Sequence, residues 1–179
     1  MTTKIIWIFG SSAAGKGTLM RQLLNDTNKE LIRHFDLERY TLVGLEESTK
    51  WIMQFTDDPI AEKRKQFPEL LKGLIKPGSA VLIKGQDVDL EYNTPTIVRE
   101  LFPEASHEII FLSLPLDDIF IRCQRKSWWE EGIDSKENLK KWLVDQINEI
   151  TKLKGFTLKA YDSSTEQYQS TFFPPQIYE

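Results

Sequence analysis

Apolar positions along the chain fall into short continuous runs that alternate with longer stretches of helical spacing. The run Lys4–Phe9 is apolar almost throughout and leads into a glycine, as expected for a strand buried on both faces. The other predicted strands are 30–35, 80–84, 107–112 and 156–160. Strands that alternate with helices over this length predict a parallel sheet covered by helices on both sides.

Helical spacing is clearest near the end of the chain, in segment 135–154. Its core-facing positions recur every three or four residues: Leu139, Trp142, Leu143, Gln146, Ile147 and Ile150. The other predicted helices are 17–25, 44–55, 96–102 and 116–126. We therefore expect a single α/β domain over residues 1–179, a three-layer sandwich around a five-stranded parallel sheet.

Composition narrows the classes of partner. The 179 residues are 40% hydrophobic and 28% charged, which is typical of a folded globular chain. The formal net charge of -4 provides no global basic field and disfavours nucleic acid, although a local basic groove stays open. Cys123 is the single cysteine, and no apolar stretch approaches the roughly 18 residues of a membrane span. These features predict a cytoplasmic protein without a membrane partner.

The strongest chemical signal follows the first predicted strand. Gly10-Ser-Ser-Ala-Ala-Gly-Lys-Gly-Thr18 fits the P-loop pattern G-x-x-x-x-G-K between a strand and a helix. Glycines let successive backbone amides point inward, and the helix N-terminus adds its positive dipole end to bound phosphates. The alternative is a glycine-rich turn with an incidental lysine. The predicted phosphate-binding residues are Gly10, Ser11, Ser12, Ala13, Ala14, Gly15, Lys16, Gly17 and Thr18.

Position 17 is glycine where many P-loops have serine or threonine, and the hydroxyl follows at Thr18. The sequence Gly15-Lys-Gly-Thr18 resembles that of adenylate kinases and related small P-loop kinases. The resemblance implies ATP and Mg²⁺ as cofactors, with Lys16 on the β- and γ-phosphates and Thr18 assisting the metal. It also implies a small-molecule acceptor bound by an insert at 37–78, and a short lid at 126–134.

Asp36 follows the second predicted strand. It resembles the aspartate with which the hydroxyl-phosphorylating branch of these kinases, including shikimate kinase, faces the acceptor. A carboxylate there orients the hydroxyl or accepts its proton. The alternative role for Asp36 is a helix N-cap. Arg39 nearby is expected either to contact an anionic substrate or to lie exposed on the surface.

Lys84 ends the third predicted strand, where related kinases often carry an acidic residue that organises magnesium. Three explanations stay open: Asp87 or Asp36 supplies the carboxylate, Lys84 contacts substrate or phosphates directly, or the domain binds nucleotide without turnover. Gln86 and Asp87 occupy the place expected for acceptor-binding groups and are otherwise polar loop residues.

Arg122 and Arg125 lie in a segment that resembles the helix leading into the kinase lid, where arginines close over the transferred phosphoryl group. Their spacing of three puts them on one helical face, and the planar guanidinium binds phosphate oxygens in pairs. The alternative is a solvated charged face. Residues 161–164 fall where the adenine-contacting loop of these kinases lies.

Together these patterns favour an ATP-dependent kinase that phosphorylates a hydroxyl group of a small molecule. The catalytic residues would be Lys16, Asp36, Arg122 and Arg125. Two alternatives remain: a nucleotide or polynucleotide kinase, and a nucleotide-binding regulator without catalytic activity.

Overall fold

A computed structural model describes residues 2–25, 28–45, 57–131 and 134–177. Six strands form one sheet in the order β2-β3-β1-β4-β5-β6. They are β1 Lys4–Gly10, β2 Thr41–Leu45, β3 Ser79–Lys84, β4 Ser106–Ser113, β5 Thr157–Asp162 and β6 Gln169–Thr171. The first five are mutually parallel, and β6 runs antiparallel to β5. The predicted α/β fold is confirmed, with one short strand more than expected.

Helices flank this sheet. Those described are α1 Lys16–Leu24, α2 Lys29–His34, α3 Pro59–Lys72, α4 Asp87–Glu91, α5 Thr94–Leu101, α6 Leu116–Cys123 and α7 Lys136–Lys152. Three of them begin at a side-chain cap: Asn28, Asp58 and Ser135 each accept a hydrogen bond from a backbone N–H three residues on. Among the described helices none is long and apolar enough to cross a bilayer.

The central strand of the sheet is buried. Five consecutive residues of β1, Ile5–Phe9, have no exposed surface, so both faces of the strand are covered. At the amino-terminal end, the buried carboxylate of Glu108 accepts hydrogen bonds or ion contacts from Lys4 at 3.3 Å and Lys159 at 3.2 Å. This triad joins β1, β4 and β5 where their parallel pairing begins.

The predicted strand 30–35 was wrong, because this segment forms helix α2. The Asn28 cap starts the helix, and Leu31 and Phe35, four residues apart, bury the same face. The Phe35 ring packs on Tyr161 with centroids 4.6 Å apart. Short apolar runs do not distinguish a helix from a strand by spacing alone, and here the cap and the core contact decide.

The true second strand overlaps the start of the predicted helix 44–55, whose remaining residues from 46 onwards lie outside those described. Gly44 in β2 lies against α1: a Cβ there would come within 2.5 Å of Leu24 Cδ1 and 3.0 Å of Met20 Cε. Because Gly44 has no side chain, α1 can pack closely against β2. Gly44 thus belongs to a strand, although the sequence predicted that a helix would begin there.

Gly85, just after β3, lies in tight contact with the core. A Cβ at Gly85 would meet the buried ring of Phe9 at 2.5–2.8 Å. We expect Gly85→Ala to lower the free energy of unfolding by about 1–3 kcal/mol, the usual cost of overpacking. Gly73→Ala is the matched control, since that backbone is right-handed helical and the nearest atom is 3.8 Å away. Urea unfolding measures both, and equal midpoints would contradict this packing.

Candidate phosphate-binding site

The loop between β1 and α1 turns back on itself between two glycines. Gly10 has φ +134° and Gly15 has φ +87°, values that residues with a side chain rarely adopt. A Cβ at Gly10 would lie 2.6 Å from the carbonyl oxygen of Leu112, whereas the corresponding position at Gly15 has no described atom within 4 Å. The loop is thus closed against the sheet at its start and faces open space where the helix begins.

Backbone amides of the first turn of α1 come next in the chain. The N–H of Leu19 is the first to bond inside the helix, to the oxygen of Gly15 at 2.9 Å. The N–H groups of Lys16, Gly17 and Thr18 precede this ladder, and Gly15 supplies no side-chain cap. Such an N-terminus, with its positive dipole end, is suited to bind an anion.

Lys16 lies buried beneath the loop, with 8% of its surface exposed. Its Nζ donates hydrogen bonds to the backbone oxygens of Gly10 at 2.6 Å and Ser11 at 3.1 Å. Burial, followed by the positive charge of Lys84, lowers the pKa of Lys16 to about 8. An anion bound beside Lys16 would stabilise the charged ammonium, which burial and Lys84 destabilise.

A cavity of about 640 Å³ opens over this turn. Its described lining residues include one carboxylate, Asp87, and several cationic side chains from four parts of the chain. The cationic residues are Lys16, Arg21, Lys84, Arg122 and Lys126. This local excess of positive charge, on a chain whose net charge is -4, is suited to an anionic ligand.

Lys84, at the end of β3, lies on the wall of the same cavity. Its Nζ is 4.0 Å from the position that a Cβ on Gly17 would take, and its charge contributes to the lowered pKa of Lys16. The side chain therefore lies beside the helix N-terminus. This geometry supports direct contact between Lys84 and a bound phosphate.

The two predicted lid arginines occupy different places. Arg122 lines the cavity, and its Nη1 donates to the backbone oxygen of Ala13 at 3.3 Å. Helix α6 ends at Cys123, short of the predicted 126, so Arg125 lies in the following turn and is not among the described lining residues. Of the predicted lid 126–134, residues 132 and 133 lie outside those described.

Gln86 and Asp87 lie where the sequence predicted them, on the cavity wall at the start of α4. The Asp87 carboxylate is exposed and accepts a hydrogen bond from Trp142 Nε1 at 3.3 Å. The neighbouring carboxylate of Asp89 is buried and accepts from the backbone N–H of Gln86 at 2.9 Å. Asp87 is thus the carboxylate that this cavity presents to a ligand.

The expectation that Asp36 follows a strand and faces the acceptor is not met. Asp36 comes after helix α2 with φ +55°, before β2 begins at the amino-terminal edge of the sheet. Burial, with smaller contributions from Glu108 and Asp36, raises the pKa of Tyr161 to about 12. Asp36 and the exposed Arg39 are not among the described residues of the cavity.

The sequence did not predict three of the described cavity residues, Arg21, Trp142 and Gln146, whereas Lys126 and Trp128 lie in the predicted lid. Arg21 lies one helical turn after Gly17, and its Nη2 donates to Thr18 Oγ1 at 3.4 Å. This i, i+4 relation to the P-loop was the available signal. Trp142 and Gln146 are also one turn apart, but their spacing was assigned to the core face of α7.

A smaller cavity of about 310 Å³ lies on the other side of the loop, near the ends of β4 and β5. Ser163 lies between this cavity and the P-loop, because its Oγ is within hydrogen-bond distance of the oxygens of Ala14, at 2.9 Å, and of the lining residue Ser113, at 3.2 Å. The predicted adenine-contacting segment 161–164 is therefore adjacent to the phosphate-binding turn.

The pKa of Lys16 makes phosphate binding depend on pH. The ammonium is charged below its pKa of about 8 and loses its proton above it, so triphosphate affinity should be full at lower pH. We expect calorimetric titration with ATP to show affinity falling by up to about tenfold per pH unit above that pKa, with proton uptake on binding. Lys84→Met should move the fall to higher pH. An affinity that stays constant to about pH 9.5 would contradict this assignment.

No protein-family model and no curated protein matches the sequence. Solved structures of similar fold include a chain of the PezAT chromosomal toxin-antitoxin system of Streptococcus pneumoniae, with TM-score 0.53 and 14% identity over 96% of this chain and 72% of that chain. The tunicamycin resistance protein of Deinococcus radiodurans gives TM-score 0.50 and 16% identity over 87% and 84%. Shikimate kinase from Bacteroides thetaiotaomicron gives 0.46 and 12% over 92% and 91%.

At these identities the likeness concerns the fold alone. The two structures with TM-scores of 0.50 and above share the α/β fold that the sequence predicted.

Proposed function

We propose that the chain is an ATP-dependent phosphotransferase that transfers the γ-phosphoryl group to a hydroxyl group of a small molecule. The observation that carries the proposal is the cavity over the P-loop, where five cationic side chains meet one accessible carboxylate, Asp87. Phosphoryl transfer requires little more than positioning and stabilisation of charge. In this cavity the cationic side chains could stabilise the charge, and the neighbouring Asp87 could position the acceptor hydroxyl.

The cationic side would hold the triphosphate. The N–H groups of Lys16, Gly17 and Thr18 and the Lys16 ammonium would bind the β- and γ-phosphates, as the geometry of the turn allows. Lys84 and Arg122 approach from opposite walls and would stabilise the negative charge of the group in transfer.

Magnesium would be held mainly by the phosphates themselves. It prefers oxygen ligands and keeps several waters, so one or two protein oxygens are sufficient. Thr18 Oγ1 is a side-chain oxygen that fits, because Thr18 lines the cavity in the first turn of α1. Among the described residues no group of three acidic, histidine or cysteine side chains forms a separate metal site.

Asp87 takes the role that the sequence gave to Asp36. When the acceptor oxygen bonds to the γ-phosphorus, the bond to the βγ-bridging oxygen breaks and its electron pair leaves with ADP. The hydroxyl proton passes to the Asp87 carboxylate and then to solvent. The hydrogen bond from Trp142 Nε1 would hold this carboxylate in place.

The base of ATP would occupy the cavity of about 310 Å³ beside the P-loop. Ser113, Pro115 and Asp162 line one side, and Phe172 from the C-terminal segment lines another. Phe172 is 95% exposed, so its ring is available for stacking on a purine. None of the described side chains that line this cavity indicates specificity for one base, so the assignment of adenine rests on the sequence resemblance.

A second candidate is a nucleotide-binding regulator without turnover. The observation in its favour is Lys84, which stands at the end of β3 in place of the acidic residue of related kinases. Stoichiometric ATP binding with no product on any acceptor would be its signature. The accessible Asp87 carboxylate favours the enzyme over this candidate.

The proposal is tested by ADP release from MgATP with pools of hydroxyl-bearing metabolites, nucleosides and nucleoside monophosphates. We expect one pool to accelerate release by wild type but not by Lys16→Ala. Absence of acceleration by every pool, with ATP still bound, would move the assignment to the regulator.

The placement of the carboxylate gives a sharper test. Asp87→Asn should lower turnover by roughly 10²–10⁴-fold, the usual contribution of a general base, while ATP affinity changes little. Asp36→Asn is the matched control and should keep wild-type turnover, because Asp36 is not among the described lining residues of the phosphate cavity. The reverse result, with Asp36→Asn inactive and Asp87→Asn active, would overturn this assignment.

A further inference from the structure

A second large cavity, of about 450 Å³, lies beside the phosphate cavity. Four residues line both: Ser12, Asp87, Trp128 and Trp142. A molecule bound in the second cavity would meet the phosphates across these side chains. Because transfer needs the acceptor hydroxyl and the γ-phosphate side by side, the second cavity has the position required of an acceptor site.

Tryptophan dominates the wall of this cavity. Trp128, Trp129 and Trp142 all line it, and the first two rings lie with their centroids 6.0 Å apart. Trp129 is fixed from behind by an edge-to-face contact with Phe120 at 5.4 Å. Broad, rigid indole faces bind the flat apolar face of a ring compound at small entropic cost. The cavity is therefore shaped for a ring and not for a flexible chain.

The charge of the second cavity is opposite to that of the first. Its described lining residues include two carboxylates, Asp87 and Asp134, and neither lysine nor arginine. Asp134 is already engaged, since its Oδ2 accepts from the backbone N–H of Glu130 at 2.7 Å. An anionic acceptor would lie against these carboxylates without a cation to pair with. The lining thus selects against phosphorylated and carboxylated acceptors.

Gln146 adds a specific hydrogen-bonding group. It lies one turn after Trp142 on α7, lines the phosphate cavity and is 3% exposed. Neither its amide nitrogen nor its amide oxygen has a hydrogen-bond partner among the described residues. A buried amide left unsatisfied is costly, and a ligand that both accepts and donates would satisfy it. Neighbouring hydroxyl groups of a sugar do both.

We infer that the acceptor is an uncharged sugar ring, either a free sugar or the ribose of a nucleoside. The ring stacks on the tryptophans, bonds to Gln146 and presents one hydroxyl to Asp87. The inference rests on the proposed phosphotransferase function and excludes nucleoside monophosphates as acceptors. The acceptor oxygen bonds to the γ-phosphorus, ADP leaves with the electron pair of the broken bond, and the proton passes to Asp87.

The first experiment measures binding through the fluorescence of the cavity tryptophans, with a non-hydrolysable ATP analogue present. Three sets are titrated: neutral monosaccharides, nucleosides, and the matching phosphorylated sugars and nucleosides. We expect saturable binding from one of the two uncharged sets, and the two arms separate a free sugar from a nucleoside. Saturation by the phosphorylated compounds alone, or by none of the three sets, would overturn the inference.

Variants of α7 then locate the site. Gln146→Met roughly keeps the side-chain volume, removes both hydrogen-bonding groups, and should weaken acceptor binding by about tenfold. Asn148→Met is the matched control, because that amide is exposed on the same helix. Gln146→Glu, which keeps the acceptor oxygen and replaces the donor NH₂ with a second acceptor oxygen, provides a second variant if the first does not fold. Equal acceptor affinities in the Gln146 and Asn148 variants would contradict the assignment of Gln146.

ADP formation recorded with the same compounds separates this inference from the proposed function. Saturable binding of an uncharged ring without ADP formation would support the acceptor class and contradict the phosphotransferase. ADP formation with phosphorylated acceptors only would support the phosphotransferase and contradict the inferred acceptor class.

Discussion

The buried ammonium of Lys16 is the charge on which the site depends. It is held by two backbone oxygens of the loop, and those oxygens face it because Gly10 and Gly15 adopt positive φ. Between about pH 8 and 10.5 the unfolded chain carries a proton that the folded chain has lost, so the free energy of unfolding rises with pH there. At neutral pH the buried charge therefore costs stability, and a bound anion offsets that cost.

A protein that is acidic overall can still provide a candidate phosphate site. The net charge of -4 describes the whole chain, whereas the field inside a cavity depends on the side chains that converge there. Lys84 from β3 and Arg122 from α6 reach the P-loop only because parallel strands end at the same edge of the sheet. The described lining of the phosphate cavity is mainly cationic, that of the second cavity includes two carboxylates, and Asp87 lines both. The proposed anionic and neutral ligands would therefore bind on either side of Asp87.

The parts of the site that the sequence predicted are those defined by neighbouring residues. The P-loop lies between β1 and α1, and Asp87 follows β3, because a buried strand and the residues after it form one local unit. Asp36 was misplaced because the short segment before it forms a helix whose Leu31 and Phe35 contact distant residues. Gln146 was missed because its spacing fits a core face, and only the fold shows that this turn of α7 reaches the cavity.

The predicted insert 37–78 contains β2 and α3 among its described residues, and its role in acceptor binding stays a prediction. The described lining of the second cavity comes mainly from α4, α7 and the residues between α6 and α7. Long-range convergence of this kind leaves no single periodic pattern in a sequence, because the lining residues come from separate elements.

The central claim is that nucleotide affinity comes from the phosphates over the P-loop. Calorimetric titration of ATP, ADP and AMP into the same protein at neutral pH tests it most directly. The account predicts that affinity falls steeply with each phosphate removed, and that Lys16→Ala reduces the difference between ATP and AMP. Equal affinities for the three nucleotides, unchanged in Lys16→Ala, would contradict it.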